Sequence, residues 1–221
     1  IYSSSEPHDE EQEIDFRRLH EWLTGLGVEV VLTREPGGTP LGEQVRQLLL
    51  HEESLAVSSC SELFLFLAAR SQLVEQVIRP CLAAGRIVIS DRYSTSTLAY
   101  QGYGLRVDLG LVRAMNQLAT GGLEPDLTLI LDIDPRKGLA RLRDAGFAGD
   151  RIEARDWGFF DRVRSGYLEV AKAEPERFRV LDASGSEEEV WAAVEREVSS
   201  LLSRRAPELA SRLHPHQEGH K

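Results

Sequence analysis

The sequence predicts an α/β fold built on a doubly wound parallel sheet with helices on both faces. Three short runs carry the strand signal: residues 28–33 (VEVVLT), 86–90 (RIVIS) and 126–133 (DLTLILDI). The first is β-branched, and the other two are nearly continuous in apolar residues, as strands covered on both faces are. Segments with helical spacing separate them, the alternation expected of right-handed crossovers. At 221 residues the chain has the length of one such domain.

Residues 1–14 are polar, with Glu6, Asp9, Glu10, Glu11 and Glu13 clustered. Such a composition buries too little apolar surface to offset ordering, so a disordered acidic tail is expected there. The domain is expected over 15–203. Phe16, Leu19, Trp22, Leu23 and Leu26 recur on one helical face, and Gly27 stops the run. The strand at 28–33 follows, then Pro36-Gly37-Gly38 breaks the chain. Leu41, Val45, Leu48 and Leu49 mark the next helix. A long helix is expected over 61–84, interrupted where Pro80 lacks an N–H. After the strand at 86–90 come a helix at 107–119, the strand at 126–133 and helices at 136–144 and 157–173. A last strand at 178–181 and a helix at 187–202 complete the alternation. No internal repeat is visible. Residues 204–221 hold Pro207, Pro215, His214, His216 and His220, and are expected as a second disordered tail rather than a metal site.

The net charge of −10 argues against a general nucleic-acid binder, which needs basic surface to displace counterions. A few focused arginines still suffice for a small anion. Cys60 and Cys81 have no CxxC or metal-ligand spacing and read as buried free thiols in a reducing compartment. No run approaches the ~18 apolar residues of a membrane span, and residues 1–7 lack the pattern of a signal peptide. A cytoplasmic enzyme is the expectation.

Ligands of open α/β sheets bind at the carboxyl ends of strands. One such end here runs into Arg34-Glu35-Pro36-Gly37-Gly38 and another into Asp91-Arg92-Tyr93. An Asp-Arg pair offers a carboxylate for hydrated magnesium beside a guanidinium for phosphate. By itself the tripeptide reads first as a structural ion pair. Phe66 and Arg70 are four apart, hence on one helical face. A ring beside a forked donor suits a planar base, although the spacing equally suits a core phenylalanine beside a solvated arginine.

Taken together, the motifs Thr33-Arg34-Glu35-Pro36-Gly37-Gly38-Thr39-Pro40-Leu41-Gly42, Phe66-Leu67-Ala68-Ala69-Arg70, Asp91-Arg92-Tyr93 and Ser96-Thr97-Leu98-Ala99-Tyr100-Gln101-Gly102 resemble bacterial thymidylate kinase. So do Gly122-Leu123-Glu124-Pro125-Asp126-Leu127-Thr128 and Asp150-Arg151-Ile152-Glu153. The resemblance implies a P-loop-kinase-like fold and ATP-dependent phosphorylation of dTMP to dTDP, with Mg2+ accompanying ATP and a homodimer as the assembly. It also implies roles. Phe66 would stack on thymine, with Arg70 and Gln101 at its edge and Thr97 and Tyr100 lining the base and sugar. Arg92, helped by Arg46, would clamp the acceptor phosphate. Asp91 would organise magnesium, and Glu35 would sit near sugar and metal. Residues 141–156 correspond to a lid in which Arg141, Arg143 and Arg151 would approach the transferring phosphates and adenine, with Gly146 and Gly149 letting it move.

The family opens with an apolar strand leading into a Gly-x-x-Gly-x-Gly-Lys-Ser/Thr loop, whose N–H groups and lysine hold the donor phosphates. Residues 8–15 read His-Asp-Glu-Glu-Gln-Glu-Ile-Asp, with neither glycine nor lysine. The first, central strand is therefore expected to be absent, residues 1–5 being short and polar, and the chain itself is expected to turn over little. Two readings follow: a sequence incomplete or wrongly spliced at its start, favoured by the intact acceptor motifs, or a catalytically impaired relative. A non-catalytic nucleotide-binding or dimerisation module is the alternative function.

Overall fold

In the computed structural model, which describes residues 2–4, 10–52, 55–144, 151–152 and 155–212, five strands form one parallel sheet. They are β1 (Tyr2–Ser4), β2 (Val30–Arg34), β3 (Ile87–Asp91), β4 (Thr128–Asp132) and β5 (Phe178–Asp182), in spatial order β2-β3-β1-β4-β5. The expectation of an absent central strand is corrected here. β1 lies in the middle of the sheet, with Tyr2 opposite Asp91 of β3 and Tyr2, Ser3 and Ser4 opposite Leu129, Ile130 and Leu131 of β4. Ladder pairing uses backbone groups, which the flanking strands must satisfy, so a short polar segment can take the position despite its side chains. An open, mostly apolar groove of about 430 Å³ runs beside Ile87, Val88 and Leu129 and under Leu19 and Leu202.

The expected tail over 1–14 thus contains β1 and the start of α1 (Glu10–Gly25). Acidic residues at 10, 11 and 13 favour a helix start, where the macrodipole is positive, and composition alone misses that. α2 (Pro40–Arg46) is capped by Thr39, whose hydroxyl accepts from Gly42 N, and runs on as a π-helical turn, Gln47–His51. The long helix resolves into α3 (Ser59–Leu73), a π turn at Val74–Ile78 and α4 (Arg79–Ala83) with Pro80 in its first turn. α5 (Ser94–Thr97) and a π segment, Leu98–Gly104, occupy a stretch with no expected element. Ser and Thr favour caps over helix interiors, and Gly102 and Gly104 further weaken the pattern. α6 (Leu109–Thr120) starts at an Asp108 cap and ends at Gly121 with φ 57°, a left-handed stop. α7 (Pro135–Asp144), α8 (Trp157–Ala173) and α9 (Glu187–Arg205) follow, α9 opened by a Ser186–Glu189 capping box. α10 (Pro207–Ala210) falls within the expected second tail, whose three histidines lie outside the described residues.

Strand alternation divides the core. Along β4, Leu129 and Leu131 face α1 and α9, packing with Leu19, Leu23, Trp191 and Val194. Ile130 faces the other way, onto Tyr100, Phe160, Val163 and Tyr167. Trp22 meets Trp191 edge-on at 6.1 Å. The cysteines depart from expectation: Cys60 is exposed and Cys81 half-buried, both as free thiols. Cys60 lies in the first turn of α3, where residues 58–61 are all exposed before the buried run begins at Glu62. No helix among the described residues is long and apolar enough to cross a membrane.

Candidate active site

The carboxyl ends of β2 and β3 are joined by the Glu35 N–H, which donates to Asp91 O at 2.9 Å. β2 leads into a cis Glu35-Pro36 bond and the Pro36–Gly38 turn. Gly38 has φ 72°, and a Cβ there would stand 2.3 Å from Thr33 Oγ1, so only glycine fits. Glu43 holds the turn, accepting from Gly38 N at 2.9 Å and from Arg34 at 3.2 Å.

Arg92, directly after β3, has φ 68°, a left-handed conformation that costs a side-chain-bearing residue and is common where function demands it. Ser90 Oγ donates to Arg92 O at 2.8 Å and fixes this bend. The buried guanidinium points at Tyr100, with Nη1 donating to the phenol oxygen at 3.4 Å and Cζ 5.5 Å from the ring centroid. Phe159 and Tyr167 pack edge-on against Tyr100, and Tyr167 donates to Ser96 Oγ at 2.9 Å. Arg46 reaches the same place from α2, donating to Pro36 O at 3.1 Å. Burial lowers the Arg46 pKa, and the neighbouring Arg34 and Arg92 lower it further while Glu43 and Asp91 oppose them. Arg46 thus lies in the field of two further guanidinium groups, Arg34 and Arg92, a concentration of positive charge of the kind that attracts anions.

Beside this cluster lies a buried polar network. Arg70 donates through Nε to Glu35 Oε2 at 2.8 Å and again through Nη2, while Nη1 donates to Thr97 Oγ1 and Asn116 Oδ1, both at 2.7 Å. Asn116 in turn donates to Ser94 O. Burial raises the Glu35 pKa against the pull of Arg70, with Asp91 adding to the rise. Glu35 Oε1 and Thr33 Oγ1 are buried without hydrogen-bond partners. Orphaned oxygens call for an unplaced group, and oxygen ligands near Asp91 suit a hard hydrated cation. Among the described residues no three metal-binding side chains cluster, so such a cation would keep much of its water.

On α3, Glu62, Phe66 and Arg70 fall at intervals of four and share a face. Phe66 is half-buried against the Tyr100 cluster. Gln101 Nε2 donates to Glu62 Oε1 at 3.0 Å. Arg151 and Arg155 donate to Glu62 Oε2 at 3.0 and 2.6 Å, and Arg151 also to Leu49 O. The structure therefore brings together Glu35, Arg46, Phe66, Arg70, Asp91, Arg92, Thr97, Tyr100 and Gln101, and places Arg151 on Glu62. The side chains of Arg141 and Arg143, and residues Gly146 and Gly149, lie outside the described residues, as do residues 5–9 linking β1 to α1. Glu62, Asn116, Arg155 and Tyr167 were missed. Only Glu62 had a sequence signal, its position four before Phe66; the others reach the site from separate elements.

A family model described as thymidylate kinase matches residues 15–194. The chain is 48% identical to the thymidylate kinase of Desulfovibrio desulfuricans over 193 residues, covering 85% of this chain and 89% of that protein. It is 49% identical over 176 residues to the thymidylate kinase of Nostoc punctiforme, covering 79% and 83%. The crystal structure of thymidylate kinase from Ehrlichia chaffeensis superposes with a TM-score of 0.70 at 34% identity, covering 90% of this chain and 97% of that one.

Proposed function

This chain belongs to the thymidylate kinase family, and from that premise we propose how its residues divide the work of phosphorylating dTMP to dTDP. The observation that supports the division is a guanidinium pair, Arg46 with Arg92, on elements adjoining a second group of side chains, Phe66, Arg70, Thr97 and Gln101. A nucleoside monophosphate has those two ends.

Phe66 stacks on the thymine ring while Arg70 and Gln101 meet its edge. Four hydrogen bonds tie the Arg70 guanidinium to Glu35, Thr97 and Asn116. Of its five N–H groups, this leaves one on Nη2 to reach the base. Thr97 and Tyr100 line the base and sugar. Arg92, braced by Tyr100, and Arg46 hold the acceptor phosphate, so that one of its oxygens is set to attack the γ-phosphorus of ATP as the bond to ADP breaks. Such catalysis is mostly positioning and charge neutralisation. Arg143 and Arg151 are assigned to the transferring phosphates, Arg141 to ATP. The orphaned Glu35 Oε1 and the neighbouring Asp91 fit a hydrated Mg2+, which would offset phosphate charge.

The assembly is a homodimer: Phe64 on α3 and Leu111 and Leu118 on the adjoining α6 are exposed, Leu118 by 84%. Apolar side chains grouped in this way support an interface between copies. Light scattering on the purified protein tests it. Free cysteines and a nucleotide substrate support the cytoplasm as its compartment. The site assignment is tested by calorimetry with dTMP, thymidine and dCMP. Binding of dTMP that is no tighter than that of thymidine would remove the phosphate end of the site.

A further inference from the structure

Glu62 is a buried carboxylate, 1% exposed, that is absent from the roles assigned above. It lies at the crossing of three side chains: Gln101 Nε2 on Oε1, Arg151 Nη2 and Arg155 Nη2 on Oε2. A carboxylate only accepts hydrogen bonds. With two guanidinium donors on its other oxygen, Glu62 acts as an acceptor toward Gln101 as well. The Gln101 carboxamide must therefore turn its NH2 to Glu62, since the opposite orientation would set two acceptor oxygens against each other. Its Oε1 accepts no hydrogen bond among the described residues and faces away from Glu62.

We infer that Glu62 is a positioning residue that fixes the orientation of the Gln101 carboxamide and thereby selects a pyrimidine carrying N3–H. This rests on Gln101 facing the base, as proposed above. An outward Oε1 is an acceptor. The thymine and uracil rings present a donor at N3, whereas cytosine presents an acceptor there. The discrimination is therefore against the cytosine pattern and leaves the 5-methyl group to other contacts. Unpaired buried polar groups make such choices sharp. Arg151 and Arg155, distant in sequence, hold Glu62 in place through its Oε2. They act on base selection without touching the base.

The test is Glu62→Gln, in which the new amide can donate to Gln101 Oε1 and so permits the inverted carboxamide. Calorimetry with dTMP, dCMP and deoxyribose 5-phosphate should show the dTMP-to-dCMP affinity ratio falling about tenfold or more, roughly one hydrogen bond. The base-free deoxyribose 5-phosphate should bind as before. Equal weakening of both nucleotides would mean a merely structural Glu62 and overturn the inference. Gln101→Leu separates the two levels: if it leaves dTMP affinity untouched, Gln101 does not read the base and the underlying assignment fails instead. Should Glu62→Gln not fold, the wild-type side-chain amide of Gln101 gives an independent reading by nitrogen-edited NMR. Its NH2 signals should stay protected and nearly unmoved on adding dTMP, and exchange of the NH2 from Glu62 to the nucleotide would sink the idea.

Discussion

Arg70 Nε donates to Glu35 Oε2 over 2.8 Å in a pair whose side chains are 1% and 3% exposed. The two residues come from separate elements, α3 and the turn after β2, and the bond ties those elements together. A buried pair of this kind is weak evidence for net stability, but removing one member strands the other charge. Arg70→Met should therefore destabilise the protein by about 3–5 kcal/mol in urea unfolding. The double variant Arg70→Met, Glu35→Gln should recover part of that loss. Additive losses would show that the two residues are not coupled. Weakened nucleotide binding in an Arg70 variant has to be compared with its stability before it is assigned to lost contact with the base.

Arg92 is held differently. Its guanidinium donates to Tyr100 and lies in the field of Asp91, and Arg46 stands nearby. Arg92→Ala should weaken dTMP by about tenfold or more, the scale of a charge-assisted hydrogen bond, while leaving thymidine affinity within about twofold. Calorimetry with both ligands gives the ratio. A parallel loss for thymidine would point to collapse of the Tyr100 packing instead.

Much of this was legible beforehand, for identifiable reasons. β3 and β4 announce themselves because a strand covered on both faces is apolar throughout. The strand-end residues Glu35, Asp91 and Arg92 were found because ligand chemistry gathers at carboxyl ends of parallel strands. β1 was missed because its place in the sheet is set by backbone demand from Asp91 and Leu129 to Leu131, not by its own Tyr and Ser side chains. The helix through 94–104 was hidden by Ser, Thr and Gly, whose helical preference is poor and whose placement is won by packing of Tyr100 on Phe159 and Tyr167. Glu62 was missed because its meaning lies in partners 39, 89 and 93 positions away.

The capping box of α9 gives a pH prediction. The Ser186 backbone N–H and then its side chain hold the Glu189 pKa below its ordinary 4.5. A depressed carboxyl contributes stability that is complete above the unfolded pKa and is lost as pH falls through the lower folded value. Wild type should be more stable than Glu189→Gln near neutrality, and the gap should close as the pH drops below about 4.5. Thermal unfolding of both proteins between pH 3 and pH 7 measures it, and a gap that persists at pH 3 would mean the carboxylate charge is not what caps the helix.

The donor side gives the sharpest contrast. β1 ends at Ser4 and α1 begins at Glu10, so in sequence only residues 5–9 separate them. They read Ser-Glu-Pro-His-Asp, with two carboxylates, no glycine for close backbone approach and no lysine for the phosphates. The acceptor site proposed above does not draw on them, since Arg46, Phe66, Arg70, Arg92 and Gln101 all lie elsewhere in the sequence. This 221-residue chain should therefore bind dTMP while forming ADP slowly. Replacing residues 5–9 with a Gly-x-x-Gly-x-Gly-Lys-Ser segment should raise turnover by about 10²-fold or more, the scale of a preorganised set of donors on developing phosphate charge. Affinity for dTMP should stay within about twofold, because no acceptor hydrogen bond changes. A coupled assay of ADP release with calorimetry on the same samples decides it. Rapid turnover by the unaltered chain would show that other groups, the lid arginines first among them, suffice to hold the donor.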